Sequence, residues 1–401
     1  MKVLLVLEAT LGGTGRHILD LAGGLLERGV EVHLVYSTLR ADQQFLSRLV
    51  ALRVDQPSFY CHAISITREV TFSDIAAYAE LSRYVHDRGP FDVIHAHSTK
   101  AGFLARLLLN RGRARVIYTP HGLMSLDPEL TGMRRGAVCV LESMLARRSD
   151  AVVAVSDTEY RCALQTGIDV SKLIVIPNGI HQIPAEIQVK SRATIRNSMG
   201  LPADSVCIGF VGRLAPQKKP ERVVEAFALL ERRTAAHVHL AVIGEGPIEA
   251  DLRRCVALLR IDDRVHFLGP VDGATYMPAF DVLAHASGFE AFGYVFVEAL
   301  SSGVPIVTTR VGGTGELISD GVTGYVCDPW DADAFARRLQ ILVDDRERRS
   351  AMAVAARERA AQYTAAKMVD SVAELYNRLC ARTEADPIVT ANFQALPGNP
   401  K

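Results

Sequence analysis

Two stretches of the chain run through the same succession of patterns, and that repetition constrains the fold more than any other feature. Val3–Leu7 is a short apolar run that leads into a glycine-rich turn, Gly12-Gly13-Thr14-Gly15. A helical pattern follows from Arg16 to about Glu27, with Ile18, Leu19, Ala22, Leu25 and Leu26 on its apolar side. Gly29 stops it, and Val30–Tyr36 alternates as a strand. This is the pattern of a βαβ unit, which implies parallel strands joined by a right-handed crossover. Further strands are expected at Asp92–His95, Arg115–Tyr118, Ala151–Ala154 and Leu173–Ile176. The succession restarts at Val206–Val211, ahead of a turn with Pro216 and Pro220 and a helix from about Glu221 to Arg232. Strands at His239–Ile243, Val265–Leu268, Val282–Ala284, Pro305–Thr308 and Gly324–Val326 continue it. The expected class is α/β, with two Rossmann-like, doubly wound parallel-sheet domains.

A chain of 401 residues is too long for one ordinary core. The expected division is 1–185 and 190–365, with the joint near Ile183–Ser191. Helical signal runs from about Ala332 to Cys380, and the stretch 387–401, which carries Pro and Gly, is expected to be a flexible tail. Ligands in doubly wound sheets bind at the carboxyl ends of the strands, so the two halves are expected to share a cleft.

Basic and acidic residues balance at 45 each, which removes a global electrostatic pull toward nucleic acid. The seven cysteines are scattered and show no C-x-x-C spacing, as expected for reduced thiols in a cytoplasmic protein. Glu8 interrupts the first apolar run, so it reads as a strand and not as a signal segment. No apolar stretch approaches the roughly 18–20 residues that span a bilayer. Any membrane contact is expected to be peripheral, at the inner face.

Three segments carry chemistry. The turn with Gly12 and Gly13 lets backbone approach an anion, and the following helix start offers free N–H groups. It lacks the third glycine of a dinucleotide loop, since Ile18 stands there. The second strand ends without an acid for a ribose. A plain tight turn is the alternative. Gly212-Arg213-Leu214-Ala215-Pro216-Gln217-Lys218 follows the first strand of the second half, where an Arg fork and a Lys point charge suit a diphosphate. A solvated basic loop is the alternative. Glu290 lies in a loop with Ala291, Phe292 and Gly293, and Glu298 follows on a helix ended by Gly303 and Pro305. Buried carboxylates need partners, and vicinal sugar hydroxyls are suitable donors. Pairing within the core is the alternative for Glu298.

These segments resemble the family 4 retaining glycosyltransferases of the GT-B architecture, the group 1 type of bacterial polysaccharide assembly. The likeness runs from GGTGRH through TPHG, VIPNGI, GFVGRLAPQKKP and IGEGP to the two glutamates and a terminal helix. It implies that Glu298 holds the nucleotide ribose and Glu290 the donor sugar's hydroxyls. Arg213 and Lys218, after Gly212, bind the diphosphate and stabilise its charge as it leaves. Gly12 and Gly13 approach the donor from the first domain, and His121 contacts the transferred sugar. The resemblance also implies a helix at about 366–382 packing back on the first domain, no cofactor and no metal. Ala291 departs from the glycine common after the first glutamate.

Asp331-Ala332-Asp333 reads as a helix cap rather than a metal site. His95 and His97 share a strand face without further ligands evident. His97 and Lys100 lie in a segment similar to polysaccharide-assembly enzymes, which implies a glycan or polyprenyl-diphosphate-linked glycan acceptor. Between Lys100 and Asp150, eight arginines face four acids, a patch suited to anionic lipid or simply a set of solvated helix ends. A sugar-nucleotide 2-epimerase and a non-catalytic nucleotide-sugar binder are the competing functions.

Overall fold

The structure, a computed structural model, describes residues 1–381 other than 11, 40, 42, 68–70 and 329. The expected tail at 387–401 lies outside the described residues. The chain divides into two compact units. One is Met1–Gly179 together with the helix that begins at Ala365, and the other is Ile180–Thr364. Position 183, read above as the start of the joint, lies inside the second unit, and most of 183–191 is helical.

In the first unit the elements are β1 (Lys2–Leu7), α1 (Gly13–Glu27), β2 (Glu31–Ser37), α2 (Gln43–Asp55), β3 (Phe59–Ile64), α3 (Ser73–Arg88), β4 (Val93–His97), α4 (Thr99–Leu107), β5 (Arg115–Thr119), α5 (Gly132–Ala146), β6 (Ala151–Ala154), α6 (Asp157–Gln165) and β7 (Leu173–Val175). The seven strands lie in the order β3-β2-β1-β4-β5-β6-β7, all parallel. Val3 to Leu7 are fully buried, as a strand covered by helices on both faces must be. β3 escaped the sequence reading. It is an edge strand whose burial does not alternate, so it lacks the period-2 signal.

The second unit runs α7 (Ala185–Ser198), β8 (Val206–Val211), α8 (Pro220–Glu231), β9 (Val238–Ile243), α9 (Glu249–Leu259), β10 (Val265–Gly269), α10 (Gly273–Tyr276), β11 (Val282–His285), α11 (Tyr294–Ser301), β12 (Ile306–Thr309), α12 (Thr314–Leu317), β13 (Gly324–Cys327), α13 (Ala332–Asp344) and α14 (Arg346–Ala360). Its six parallel strands follow the order β10-β9-β8-β11-β12-β13. The core gathers Ile208, Phe210, Val224, Phe227, Leu240, Phe335 and Leu339.

The last helix, α15 (Ala365–Ala381), belongs to the first unit. Its stripe of Met368, Val369, Val372, Leu375, Tyr376 and Leu379 joins the core around Leu21 and Leu25 of α1. A Cβ on Gly24 of α1 would lie 2.6 Å from Val369 Cγ2, so only glycine permits this approach.

Both sheets reverse their winding once, between β1 and β4 and between β8 and β11. Loops part at such a switch point and leave the carboxyl ends of the two strands open for a ligand.

Candidate active site

At the β8/β11 switch point two loops meet. Gly288 donates its N–H to the Gln217 carbonyl at 2.9 Å, and Gln217 Nε2 donates to the Phe289 carbonyl at 3.2 Å. This pairing sets the Lys218 ammonium directly on Glu290 Oε1. Ser287 Oγ reaches the same oxygen at 3.1 Å and lies 2.9 Å from His285 Nδ1. An ionised carboxylate only accepts, so the Ser287 proton points to Glu290 and His285 Nδ1–H donates to Ser287. Thr309 Oγ1, from β12, donates to the Ser287 carbonyl at 2.8 Å and pins the loop. Burial pushes the Glu290 carboxyl up, but Lys218, His285 and Ser287 outweigh it and hold it below its ordinary value. His285 is lowered to about 4, by burial first and then by the Lys218 charge. The chain His285–Ser287–Glu290–Lys218 therefore carries one negative and one positive charge with a neutral imidazole behind them.

The neighbouring residues are arranged by glycines. A Cβ on Gly244 would lie 2.1 Å from the Gly212 carbonyl, and one on Gly312 would lie 2.2 Å from the Glu290 carbonyl. Both loops are thus seated on backbone. Arg213 is exposed, and its side chain makes no hydrogen bond or ion pair among the described residues. Gly293, at φ 86, caps α11, and Phe292 is buried against Tyr294 and Tyr363. Ala291 and Glu298 are half-buried, the latter on α11.

In the first unit, Gly12 takes φ 67 at the start of α1, and Gly13 is the first helical residue. No acid occupies the first turn, which leaves the positive end of the helix dipole uncompensated there. Gly15 lets α1 begin where it does, since a Cβ would lie 1.8 Å from the Thr10 carbonyl. Behind this turn four histidines cluster. His95 is fully committed, with Nδ1 2.6 Å from Tyr376 Oη and Nε2 2.7 Å from Thr119 Oγ1. His97 Nδ1 lies 3.0 Å from His121 Nε2, while His97 Nε2 is buried without a hydrogen bond. His17 from α1 packs edge-on to His121 with ring centroids 4.5 Å apart. His17, His97 and His121 bring three ring nitrogens within 4.8 Å of one another. The sequence reading found no further ligands for the His95/His97 pair. The fold supplies them from α1 and from the loop after β5, far apart in the chain.

Burial holds His95, His97 and His121 well below the usual imidazole range, and His17 is lowered to about 4 for the same reason. His121 sits in the left-handed region at φ 54. Glu159 holds this strained turn, an acid the sequence reading overlooked. Its Oε1 accepts from Gly122 N at 2.7 Å and Leu123 N at 3.0 Å, and its Oε2 from Val155 N at 2.8 Å. Burial raises the Glu159 carboxyl, against the pull of those three bonds. Only the Asp157/Glu159 enrichment at the start of α6 hinted at it, and that signal reads as ordinary dipole compensation.

Lys100 is placed otherwise than as an open cation. It is buried, 2.7 Å from Asp74 Oδ1 and bonded to the Thr67 carbonyl at 2.8 Å. The arginine-rich stretch divides in the same way. Arg106 is buried on Glu142 and over Tyr118, and Arg111, Arg115 and Arg148 bond to backbone or Asp150. Arg113, Arg134, Arg135 and Arg147 remain exposed. Asp331 caps α13, accepting from Ala334 N at 2.5 Å, and Asp333 pairs with Arg233 and Arg337.

A sequence model of the family described as "Glycosyl transferases group 1" matches residues 191–359, and one described as "Glycosyl transferase 4-like domain" matches residues 12–179. The D-inositol 3-phosphate glycosyltransferase of Stackebrandtia nassauensis is 30% identical, covering 94% of this chain and 89% of its own. The N-acetyl-alpha-D-glucosaminyl L-malate synthase of Bacillus anthracis is 27% identical over 94% of this chain and 96% of its own. Among solved structures, Anabaena HepE in complex with UDP and glucose superposes with TM-score 0.79 at 22% identity, covering 94% and 100% of the two chains. WaaG, a glycosyltransferase of lipopolysaccharide biosynthesis, gives 0.73 at 19% identity over 94% and 99%.

Proposed function

The chain belongs to the group 1 glycosyl transferases, and from that premise we propose a retaining, metal-independent transfer of a sugar from a nucleotide-diphosphate donor. The pairing of Lys218 with Glu290 at the β8/β11 switch point carries this reading. Each satisfies the other, and a bound donor offers both a better partner: diphosphate oxygens for the ammonium, sugar hydroxyls for the carboxylate. Arg213, exposed and unengaged among the described residues, adds a second cation. As the anomeric bond opens, charge gathers on the departing diphosphate, where the two cations count most. A front-face path lets the departing phosphate oxygen take the acceptor proton. Glu298 holds the ribose in this scheme, and His121, its turn held by Glu159, has the sugar-contacting role that the resemblance implies. HepE, similar in fold, was captured with UDP and with UDP-glucose, which favours a uridine donor in the first trials.

For the acceptor we infer a lipid-linked glycan used at an anionic surface. α5 supports it. Met133, Ala137, Val140, Leu141 and Met144 form one exposed stripe at helical spacing, beside Arg134 and Arg135. No described helix is long and apolar enough to cross a membrane. The relatives named for inositol phosphate and malate favour a second reading, a small anionic acceptor.

Purified protein is to be incubated with UDP-, GDP- and ADP-sugars and either acceptor class, with product configuration read by NMR. Lys218→Ala and Arg213→Ala are each expected to lower turnover by about 10²–10³-fold. Near wild-type donor consumption by Lys218→Ala would remove the pairing from the mechanism. Conversion of donor with no acceptor present would mark an epimerase instead. Failure to sediment with anionic liposomes at low salt would leave the small acceptor as the better reading.

A further inference from the structure

We infer that His17, His97 and His121 form a binding site for a borderline transition-metal ion of the Zn²⁺ class, built from residues other than Lys218, Glu290 and Arg213 but sharing His121 with the proposed sugar contact. Among the described residues this is the group in which three metal-ligating side chains converge, with all three nitrogens within 4.8 Å of one another. Tetrahedral bonds of about 2.0–2.1 Å place neighbouring nitrogens about 3.3–3.4 Å apart. His97 Nδ1 and His121 Nε2 already lie 3.0 Å apart. Ring rotation has to close only the wider separations.

The donor set selects the ion. Three imidazoles without a carboxylate disfavour Mg²⁺ and Ca²⁺, which require oxygen. They suit Zn²⁺, Co²⁺, Ni²⁺ or Cu²⁺, and a trio leaves the fourth position to water. Two nitrogens of His17 and one of His97 are buried without a hydrogen bond. Such atoms go unsatisfied only at a cost, and an ion held between His97 Nδ1 and His121 Nε2 takes up one of them, a nitrogen of His17. The surroundings are those of a supported site. His95 packs against His97 with ring centroids 4.0 Å apart, and is itself fixed by Tyr376 and Thr119. The turn bearing His121 is tied down by Glu159. His121 is half-buried, so an ion reaches the group from the strand-carboxyl edge.

Binding asks for one rearrangement of protons. His97 and His121 share a single hydrogen between facing nitrogens, and the ion takes its place. That hydrogen moves to the other nitrogen of the ring that held it.

A consequence follows that rests on the proposed function. His121 cannot ligate the ion and contact the transferred sugar at once, so Zn²⁺ inhibits transfer and excess donor relieves it. Binding itself does not depend on that reading.

The test titrates Co²⁺ alone into the full chain, without donor, and follows ligand-field absorption. One Co²⁺ per chain with the intense bands of a low-coordinate site is expected, bleached by added Zn²⁺. His17→Gln and His121→Gln should each weaken binding by on the order of a hundredfold or more. His239→Gln, which alters the separate His239/His266 pair, should change nothing. Absence of the bands in the wild type, or their survival in folded His17→Gln protein, overturns the site. Should His17→Gln fail to fold, anomalous scattering from zinc-soaked wild-type crystals decides: a peak amid the three rings supports the proposal, and a peak only elsewhere overturns it. Co²⁺ binding in a protein that transfers no sugar from any donor defeats the functional reading and leaves the metal site standing.

Discussion

His285 and Glu159 show how single buried groups shape the two switch points. An unfolded chain takes up a proton on histidine near pH 6.5, but folded His285 resists until about pH 4. Between those values the unfolded state binds more protons, so stability rises with pH. The contribution of neutral His285 is therefore intact above pH 6.5 and is lost as pH falls toward 4. At pH 5 the loss is about 2 kcal/mol. His285→Gln keeps a donor for Ser287 but cannot ionise. Its melting temperature should fall less steeply than the wild type's between pH 7 and 5, and parallel curves would contradict the assignment. Glu159→Gln should act differently. The amide keeps one acceptor oxygen where the carboxylate had two, so its NH₂ faces either Val155 N or the Gly122 and Leu123 pair, and the anchor of the His121 turn is weakened at a cost of about 1–3 kcal/mol. With the His121 turn released, turnover should drop while donor affinity, measured calorimetrically, stays close to wild type.

Within α1 two glycines make opposite predictions. Gly23→Ala meets only Leu52 Cδ1, at 3.8 Å, and should stabilise the protein by roughly 0.5–1 kcal/mol, as a helix-interior glycine replaced without strain does. Gly15→Ala drives a methyl to 1.8 Å from the Thr10 carbonyl and should destabilise it, shifting the turn that carries Gly12 and Gly13. Urea midpoints of the two variants should move in opposite directions. The contrast also shows where sequence reading stops. Buried strands such as Val206–Val211 were legible because every residue of a covered parallel strand is apolar. β3 was not, because its exposed edge carries no periodic signal, and α7 was not, because it buries little. Lys218 and Glu290 were legible only as members of two separate loops, each after a strand that borders the switch point, and their ion pair was not. The convergence of His17 with His97 and His121 was hidden, since it depends on a helix, a strand and a loop, α1, β4 and the turn after β5, meeting at the sheet edge. Lys100 misled the reading for the same reason: Asp74, its partner, lies on a different helix.

Each unit's independence follows from where its core residues sit along the chain. The second unit draws its core from Val206 through Met352, all inside the continuous segment Ile180–Thr364. The first draws on α1 and its sheet but completes that core with six side chains of α15, from Met368 to Leu379. His95 likewise takes one of its two hydrogen bonds from Tyr376. A fragment spanning 180–364 therefore carries everything its core requires and should melt cooperatively by itself. A fragment ending at 179 leaves the apolar face of α1 uncovered and strips His95 of a partner. At about 25 cal/mol per Å² of apolar surface, loss of a whole helix face exceeds the margin by which a domain of this size is folded. It should be insoluble or show no cooperative transition by circular dichroism, and adding a synthetic peptide of 365–381 should restore one. Cooperative melting of 1–179 without the peptide would mean that α15 covers the first unit without being needed to hold it together.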